Sequence, residues 1–251
     1  MRKKALVFLI LMPCALCLVP CIFCLLPYPS SSKDTKGKEL IVLVHGFFRT
    51  RRDMAFLEDF FHSRGFDILA PTLPTTFGSL EECTAKLEQE FSGIREHYNR
   101  IHFVGHSMGG LIIRLFLSRN RVENIGRCVL IAAPSRGSEL VGAVAWFRPL
   151  TFLMPPLREF RPDGVSIPPP RNNPPPEMGA IAGNGGGLFL GRFMKKENDG
   201  RITVDSAPFM GMKDFLVLPY NHDEIHHRRE TAEYILRFLE EGTFVNSTVT
   251  Q

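Results

Sequence analysis

IHFVGHSMGGLIIR, residues Ile101 to Arg114, carries the strongest structural signal in this 251-residue chain. Three of its first four residues are apolar, which is typical of a strand buried in a parallel sheet. The residues from Met108 to Ser118 have the apolar content of a packed helix. Between the two lies a Gly-x-Ser-x-Gly sequence, Gly105 to Gly109. The stretch therefore predicts a strand, a tight turn with Ser107 at its tip, and a helix.

The spacing of this motif has a physical reason. A serine on a sharp turn projects its hydroxyl away from the backbone, and glycines two residues before and after it let neighbouring backbone pass without a clash. The N–H groups at the start of the helix carry a partial positive charge, which stabilises a developing oxyanion. We therefore interpret Ser107 as a nucleophile and the N–H of Met108 as an oxyanion donor. Gly105 and Gly109 would permit the turn.

A second motif, His45-Gly46-Phe47-Phe48, follows the apolar run Leu40 to Val44, which is predicted to be the first strand. In a serine hydrolase with this architecture the loop after that strand supplies a second oxyanion donor. The N–H of Phe47 is the candidate, and an ordinary turn glycine at Gly46 is the alternative. His45 and His106 are expected to support the loop and the turn rather than to act as bases.

A serine hydroxyl needs a base to remove its proton, and the base needs a carboxylate to fix its tautomer. The histidines after Ser107 are His222, His226 and His227. His222 follows the last predicted strand, on a loop at the carboxyl end of the sheet, where open α/β folds bind ligands. We therefore predict that His222 is the base. His226 and His227 fall within the predicted final helix and are expected to be solvated.

The acid is predicted to lie between the serine and the histidine, because this chain order is typical of such sites. Asp199 is preferred, since Asn198-Asp199-Gly200 is a turn sequence between the last two predicted strands. The same tripeptide is also common in turns without any catalytic role. Asp163, Asp205 and Asp214 therefore remain alternatives.

Short apolar runs alternate with segments of helical periodicity, which indicates an α/β fold with a mostly parallel sheet of about six strands flanked by helices. The domain is predicted to cover residues 39–244, followed by a tail at 245–251. The strands not yet mentioned are predicted at Phe66 to Leu69, Cys128 to Ala132, Met178 to Ala182 and Phe215 to Leu218.

Helix ends are also predicted from the sequence. Thr50 and Asp53 are candidate caps of a helix that runs to about Arg64, and Ser79 with Glu82 forms a capping box. The final helix is predicted from about Glu224 to Glu241, ending at Gly242.

The regular alternation fails at residues 141–177. This segment contains several aromatic residues and methionine, followed by proline triplets at residues 168–170 and 174–176. We interpret it as an insertion, and as a lid, rather than a second domain. Its apolar side chains could form a pocket for an acyl chain or pack against the domain.

The N-terminus departs from the rest of the chain. Arg2, Lys3 and Lys4 precede a stretch from Ala5 to Leu26 without any charged side chain. A basic start followed by an apolar stretch is typical of a signal peptide or a membrane anchor, and this one is long enough to span a bilayer. Residues 1–27 are therefore predicted to be a signal peptide or membrane anchor and residues 28–38 a linker. The protein is expected in the cell envelope or periplasm, not in the cytoplasm.

The cysteines and the charge restrict the function further. Cys14, Cys17, Cys21 and Cys24 lie in the apolar stretch without polar neighbours, which favours apolar filler or an acylated cysteine over a zinc site. Cys83 and Cys128 are expected to be core thiols. The net charge of +4 owes three positive charges to the first four residues, so no nucleic-acid surface is predicted.

The blocks quoted above resemble bacterial lipases and esterases of the α/β-hydrolase superfamily over about residues 39–244. The resemblance includes RCVLIAAPSRGSEL at Arg127 to Leu140 and NDGRITVDSA at Asn198 to Ala207. It implies Ser107, Asp199 and His222 as nucleophile, acid and base, and Phe47 and Met108 as oxyanion donors. It also implies no cofactor, and we predict no metal site. The two leading strands of the full fold are not expected, because the domain begins at the strand before the His-Gly turn.

These observations predict a serine hydrolase that cleaves carboxylic esters through an acyl-serine intermediate. The expected substrate is an apolar ester or a lipid near a membrane. An acyltransferase or a thioesterase on the same fold is the first alternative. A non-catalytic binding module is the second, and it predicts a missing triad residue.

Overall fold

The structure, a computed structural model, describes residues 39–139, 141, 152–160, 166–188, 191–192 and 194–245. The predicted signal peptide or anchor and the linker lie outside the described residues, as do Asp163 and most of the C-terminal tail. Within the described ranges, no helix combines the length and the hydropathy that crossing a bilayer requires.

Among the described residues the domain has six strands and five α-helices. The strands are β1 (Glu39–Val44), β2 (Asp67–Leu69), β3 (Arg100–His106), β4 (Ile125–Ile131), β5 (Met178–Gly183) and β6 (Asp214–Leu218). The helices are α1 (Ala55–His62), α2 (Leu80–Phe91), α3 (Met108–Arg119), α4 (Pro156–Glu159) and α5 (Arg229–Glu241). Short 3-10 turns lie at Arg51–Met54, Arg95–His97, Val204–Ser206 and Ile225–His227.

The six strands form one sheet in the order β2-β1-β3-β4-β5-β6, and every pairing is parallel. The predicted mostly parallel sheet of about six strands is therefore confirmed. β2 pairs with one edge of β1, and β3 pairs with the other edge. The direction in which successive strands are added therefore reverses between β1 and β3. Ligands of open α/β sheets bind at the carboxyl ends of the strands beside such a reversal.

Helices cover both faces of this sheet. On one face, Leu40, Val42 and Val44 of β1 pack with apolar side chains of α2 and α3. On the other face, Ile41 and Leu43 pack with those of α1 and α5. Side chains alternate between the faces of a strand, so a strand covered on both sides must be apolar throughout, as β1 is.

The helix ends are partly as predicted. The side chain of Ser79 accepts a hydrogen bond from the Glu82 N–H, and the full capping box is present at α2. Gly242 ends α5 in the left-handed conformation, with φ 82°. The predicted cap at Thr50 and Asp53 is wrong, because the Thr50 side chain makes no capping bond and the carboxylate of Asp53 turns toward the histidines near α5.

The described parts of the insertion lie at two separate places. The first part is residues 152–160. There Phe160 is buried in the core, and the carboxylate of Glu159 accepts the Leu80 N–H at the start of α2. In the proline-rich part, Arg171 N donates to Leu117 O, and the Asn172 side chain binds the backbone of Val122. Those contacts lie at the end of α3 that is remote from Ser107. The lid over residues 141–177 stays a prediction.

Cys83 and Cys128 are buried and free, as expected of core thiols. Burial raises the pKa of the Cys83 thiol to about 12. Both side chains therefore behave as small apolar groups at neutral pH.

A buried histidine near the amino end of β3 makes the stability depend on pH. His102 is buried, and its Nδ1 accepts the Arg127 N–H at 3.0 Å. Burial lowers the pKa of His102, although the neighbouring Glu39 opposes the shift. The unfolded chain, with a histidine pKa of about 6.5, then binds more protons than the folded chain as the pH falls through that value.

The free energy of unfolding is therefore expected to decrease as the pH falls from 7.5 to 5.5. In His102→Asn the amide oxygen can accept the same N–H but cannot be protonated, so the dependence on pH should be weaker. One group changes the slope by at most about 1.4 kcal/mol per pH unit. Denaturant titrations of both chains at several pH values measure this slope. Equal slopes would contradict a role for His102.

Candidate active site

Ser107 lies on a strained turn between β3 and α3. Its backbone has φ 55° and ψ −123°, a conformation that a side chain other than glycine rarely adopts. Its N–H donates to Ile131 O of β4 at 2.8 Å, which ties the turn to the sheet. The neighbouring backbone lies so close that a Cβ on Gly105 would be 2.6 Å from the carbonyl carbon of Gly109. The Gly-x-Ser-x-Gly spacing thus follows from direct backbone contact.

Gly109 is the glycine of the turn at which a side chain would clash most severely with the backbone. A Cβ built there would lie 2.1 Å from Val44 O and 2.8 Å from His45 O, both backbone atoms of the sheet and the loop that follows it. Gly109→Ala is therefore expected to destabilise the fold by about 3 kcal/mol or more. Chemical denaturation measures the loss.

Gly93→Ala is the matched control. Gly93 has φ 78° and open space where its Cβ would be, so alanine there costs only about 1–2 kcal/mol for the left-handed backbone. A Gly109→Ala chain as stable as Gly93→Ala would show that the turn can shift away from β1.

The three residues predicted as nucleophile, base and acid are brought together at the carboxyl end of the sheet. His222 Nε2 lies 3.1 Å from Ser107 Oγ, and His222 Nδ1 lies 2.7 Å from Asp199 Oδ2. Ser107 is partly exposed, whereas His222 and Asp199 are buried. The serine hydroxyl is thus accessible at one end of a hydrogen-bonded chain whose carboxylate is shielded from water.

Asp199 is held in one orientation by its own loop. Its Oδ1 accepts the N–H groups of Arg201 and Ile202 at 2.9 and 2.8 Å. Its backbone carbonyl accepts the His222 N–H at 2.9 Å, so the loop after β5 and the loop after β6 are joined twice. Because Oδ1 is fully used by the loop, Oδ2 is left for the imidazole.

The alternative acids do not contact His222. Asp205 is exposed and pairs with Lys196 at 3.2 Å. Asp214 accepts the N–H of Phe244 at 2.7 Å, at the amino end of β6. Asp163 lies outside the described residues. Among the described candidates, Asp199 alone has the geometry of a partner for the imidazole.

The loop with the predicted oxyanion donor lies against Ser107. A Cβ on Gly46 would be 3.0 Å from Ser107 Cβ, which places the next residue, Phe47, beside the serine. Within the described part of the chain, the N–H groups of Phe47 and Met108 donate no hydrogen bond. Both N–H groups are therefore available to bind an oxyanion, which stays a prediction.

His45 and His106 contact backbone of the loops around Ser107. His45 Nε2 accepts the Leu73 N–H at 2.9 Å, so its proton is on Nδ1, 3.1 Å from Gly46 O. His106 Nε2 lies 3.1 Å from His222 O and must donate to that carbonyl. Burial lowers the pKa of both imidazoles. Both imidazoles therefore contact loop backbone, and their supporting role stays a prediction.

Two arginines next to the site were not predicted. The carboxylate of Asp223, the neighbour of His222, binds Arg49 at 2.7 Å and Arg201 at 2.9 Å. Burial opposes ionisation of Asp223, but the hydrogen bond and charge of Arg201 prevail and lower its pKa. These ion pairs join the loops after β1, β5 and β6. No sequence motif marks them, because the three residues are far apart in the chain.

The prediction that His226 is solvated is wrong. α5 begins at Arg229, and His226 lies before it in a 3-10 turn with 1% of its surface exposed. It stacks on His106 with ring centroids 3.8 Å apart and an interplanar angle of 20°. Helical periodicity extended the helix one turn too far and so placed this side chain on the wrong face. The side chain of His227 is 42% exposed, in agreement with the prediction that it is solvated.

Comparison with known proteins identifies the domain. The profile of the alpha/beta hydrolase family matches residues 41–239. No curated protein is detectably similar in sequence to the chain.

Several solved structures share the fold at low sequence identity. The mature lipase BlEst2 of Bacillus licheniformis is similar with a TM-score of 0.60 and 19% identity, over 83% of this chain and 92% of the lipase. A metagenomic carboxyl esterase has a TM-score of 0.55 and 18% identity, over 78% of this chain and 69% of the esterase. A thermophilic esterase from Thermogutta terrifontis has a TM-score of 0.51 and 15% identity, over 83% of this chain and 92% of the esterase. At these identities the likeness shows a common fold.

Proposed function

The chain belongs to the alpha/beta hydrolase family, and from this we propose that it is a serine hydrolase that cleaves carboxylic esters, with Ser107, His222 and Asp199 as its catalytic triad. The proposal is supported above all by the continuous hydrogen-bonded path from Ser107 Oγ through the imidazole to Asp199 Oδ2. The strained backbone of Ser107 is a second support, since such strain persists where it serves a site.

The proposed reaction has two halves. His222 Nε2 takes the proton of Ser107 as Oγ attacks the ester carbonyl, and the N–H groups of Phe47 and Met108 bind the oxyanion that forms. The imidazolium then gives that proton to the leaving alcohol, and an acyl-serine remains. In the second half His222 takes a proton from water, hydroxide attacks the acyl carbonyl, and the carboxylic acid leaves as the proton returns to Oγ. Asp199 stays ionised and holds the imidazole tautomer throughout.

Apolar esters are the proposed substrates. Phe47 follows Gly46 beside the serine, and its neighbour Phe48 is 61% exposed with its ring 5.9 Å from that of Phe47. Phe77, also 61% exposed, lies on the loop after β2, whose Thr75 hydroxyl is 3.5 Å from His45 Nδ1. Exposed aromatic side chains on the loops after β1 and β2 favour an apolar acyl or alcohol group.

The N-terminal stretch supports a location at a membrane. Residues Ala5 to Leu26 carry no charge and follow three basic residues. We propose that this stretch exports or anchors the protein, so that the domain acts on esters near a lipid surface.

The function is tested by labelling the chain with a fluorophosphonate, which phosphonylates an activated serine. One label per chain is expected, and peptide mass spectrometry should place it on Ser107. A label on another serine, or none, would contradict the proposal. Product analysis of p-nitrophenyl esters of increasing acyl length, with and without an added alcohol, then gives the chain-length preference and separates hydrolysis from acyl transfer.

A further inference from the structure

A cluster of one carboxylate and three imidazoles lies beside the proposed triad and takes no part in its proton transfers. The histidine–aspartate cluster consists of Asp53, His106, His226 and His227. Asp53 belongs to the 3-10 turn between β1 and α1, and His226 and His227 belong to the turn before α5. The cluster therefore joins the segments that follow the oxyanion loop and the loop of His222.

The distances within this cluster suit a metal ion. His226 Nε2 is 3.1 Å from Asp53 Oδ2, and His227 Nε2 is 3.8 Å from Asp53 Oδ1. One ligand atom from each of these three residues lies within 4.8 Å of the others. Ligand atoms 2.0–2.1 Å from a tetrahedral Zn²⁺ are about 3.3 Å from one another, so small side-chain rotations would complete the coordination.

Several polar atoms of the cluster are buried without a hydrogen-bond partner. Within the described part of the chain these atoms are Asp53 Oδ2, His106 Nδ1 and both ring nitrogens of His226. Although 3.1 Å is a hydrogen-bonding distance, the contact between His226 and Asp53 lacks hydrogen-bond geometry. An unsatisfied buried polar atom costs about 1–3 kcal/mol, so a group of them in one place requires an explanation.

The tautomer of His106 shows why a cation suits this place. Its Nε2 donates to His222 O, so Nδ1 of the neutral ring carries a lone pair. That lone pair lies 3.7 Å from Asp53 Oδ2, which is also an acceptor. Arg49 forms an ion pair with Asp53 Oδ1 at 3.8 Å, but its Nη2 hydrogen-bonds to Asp223 at 2.7 Å and Asp53 Oδ2 stays without a hydrogen-bond partner.

We propose that Asp53, His226 and His227 bind a divalent transition-metal ion of the Zn²⁺ class. Two imidazole nitrogens and one carboxylate oxygen form a ligand set that Zn²⁺ commonly has in proteins, whereas Mg²⁺ and Ca²⁺ prefer oxygen ligands alone. The fourth position belongs to water, since the His227 side chain is 42% exposed at the surface.

The proposed ion would act as a structural clamp. Asp53 follows Phe47 by six residues and His226 follows His222 by four. An ion shared by these turns fixes the oxyanion loop and the base relative to each other. It also stabilises the folded chain, because the two turns are not held together in the unfolded chain.

The test uses the full chain, purified in detergent without a polyhistidine tag and freed of metal with a chelator. Titration with Zn²⁺ is expected to raise the Tm by roughly 5–10 °C at a hundredfold excess over Kd. Titration with Co²⁺ should give the intense visible absorption of a tetrahedral site. His227→Ala, a change at the surface, should weaken the affinity for Zn²⁺ and for Co²⁺ at least about 100-fold and remove most of the Tm increase, because it removes a ligand and not merely a neighbour of one.

His62→Ala, at an exposed histidine that ends α1, is the matched control and should respond as the wild type does. Equal Zn²⁺ responses of the His227→Ala and wild-type chains would overturn the inference and assign any binding to other groups, such as the N-terminal cysteines. Absence of binding to the wild type would overturn it as well. Ser107→Ala keeps the cluster intact, so its Zn²⁺ binding separates this inference from the proposed hydrolysis.

Discussion

The Ser107→Ala chain is expected to hydrolyse p-nitrophenyl esters with a kcat reduced by about 10⁴- to 10⁶-fold. The substitution removes only Oγ, which lies 3.1 Å from His222 Nε2, and the remaining rate comes from the oxyanion donors and substrate binding. The backbone strain at φ 55° is the same for alanine as for serine, so the Tm should hardly change. Steady-state kinetics and thermal denaturation of the same preparation measure both effects.

Ser118→Ala is the matched control for this change. Ser118 lies in the last turn of the same helix, α3, and its hydroxyl donates to Leu115 O far from the site. Its kcat should equal that of the wild type. A Ser107→Ala chain that kept more than about a tenth of the wild-type kcat would show that Ser107 is not the nucleophile.

The Asp199→Asn chain is expected to lose about 10⁴-fold in kcat while remaining folded. The amide oxygen of asparagine can take the place of Oδ1 and accept the N–H groups of Arg201 and Ile202. The amide NH₂ then faces His222 Nδ1, which must become the acceptor. The imidazole proton moves to Nε2, so this nitrogen can no longer take the proton of Ser107.

Asp205→Asn separates this tautomer effect from a general loss of charge. Asp205 lies near the same loop but is exposed and pairs with Lys196. Its substitution should change kcat by less than about twofold, since exposed ion pairs contribute little. Comparable losses in the two asparagine variants would point to a role of overall charge and would refute the assignment of Asp199 as the orienting carboxylate.

The central strands of the sheet could be predicted because both of their faces are covered. Such a strand is mostly apolar, as Leu40 to Val44 illustrates, and can be recognised without knowing its partner strands. The proximity of Ser107, Asp199 and His222 could be predicted for a related reason. Parallel strands end at one edge, so loops that follow different strands meet there even when their residues are far apart in the chain.

Contacts between loops could not be predicted in the same way. The burial of His226 depends on helix α5 beginning one turn later than its periodicity indicates, and the partner of Asp53 lies more than 170 residues away. The ion pairs of Asp223 with Arg49 and Arg201 are of the same kind. Charged side chains at loop ends carry no periodicity, so the sequence alone does not distinguish a solvated charge from a paired one.

Helix α5 also determines when the protein can complete its fold during synthesis. Ala232, Ile235, Phe238 and Leu239 of this helix cover the face of the sheet that includes Ile41 and Val129. A ribosome makes these residues after all six strands, so a nascent chain that does not yet include α5 exposes an apolar sheet surface. Binding by a chaperone is most needed at that stage, and C-terminal truncations that remove α5 should yield aggregates rather than a smaller soluble domain.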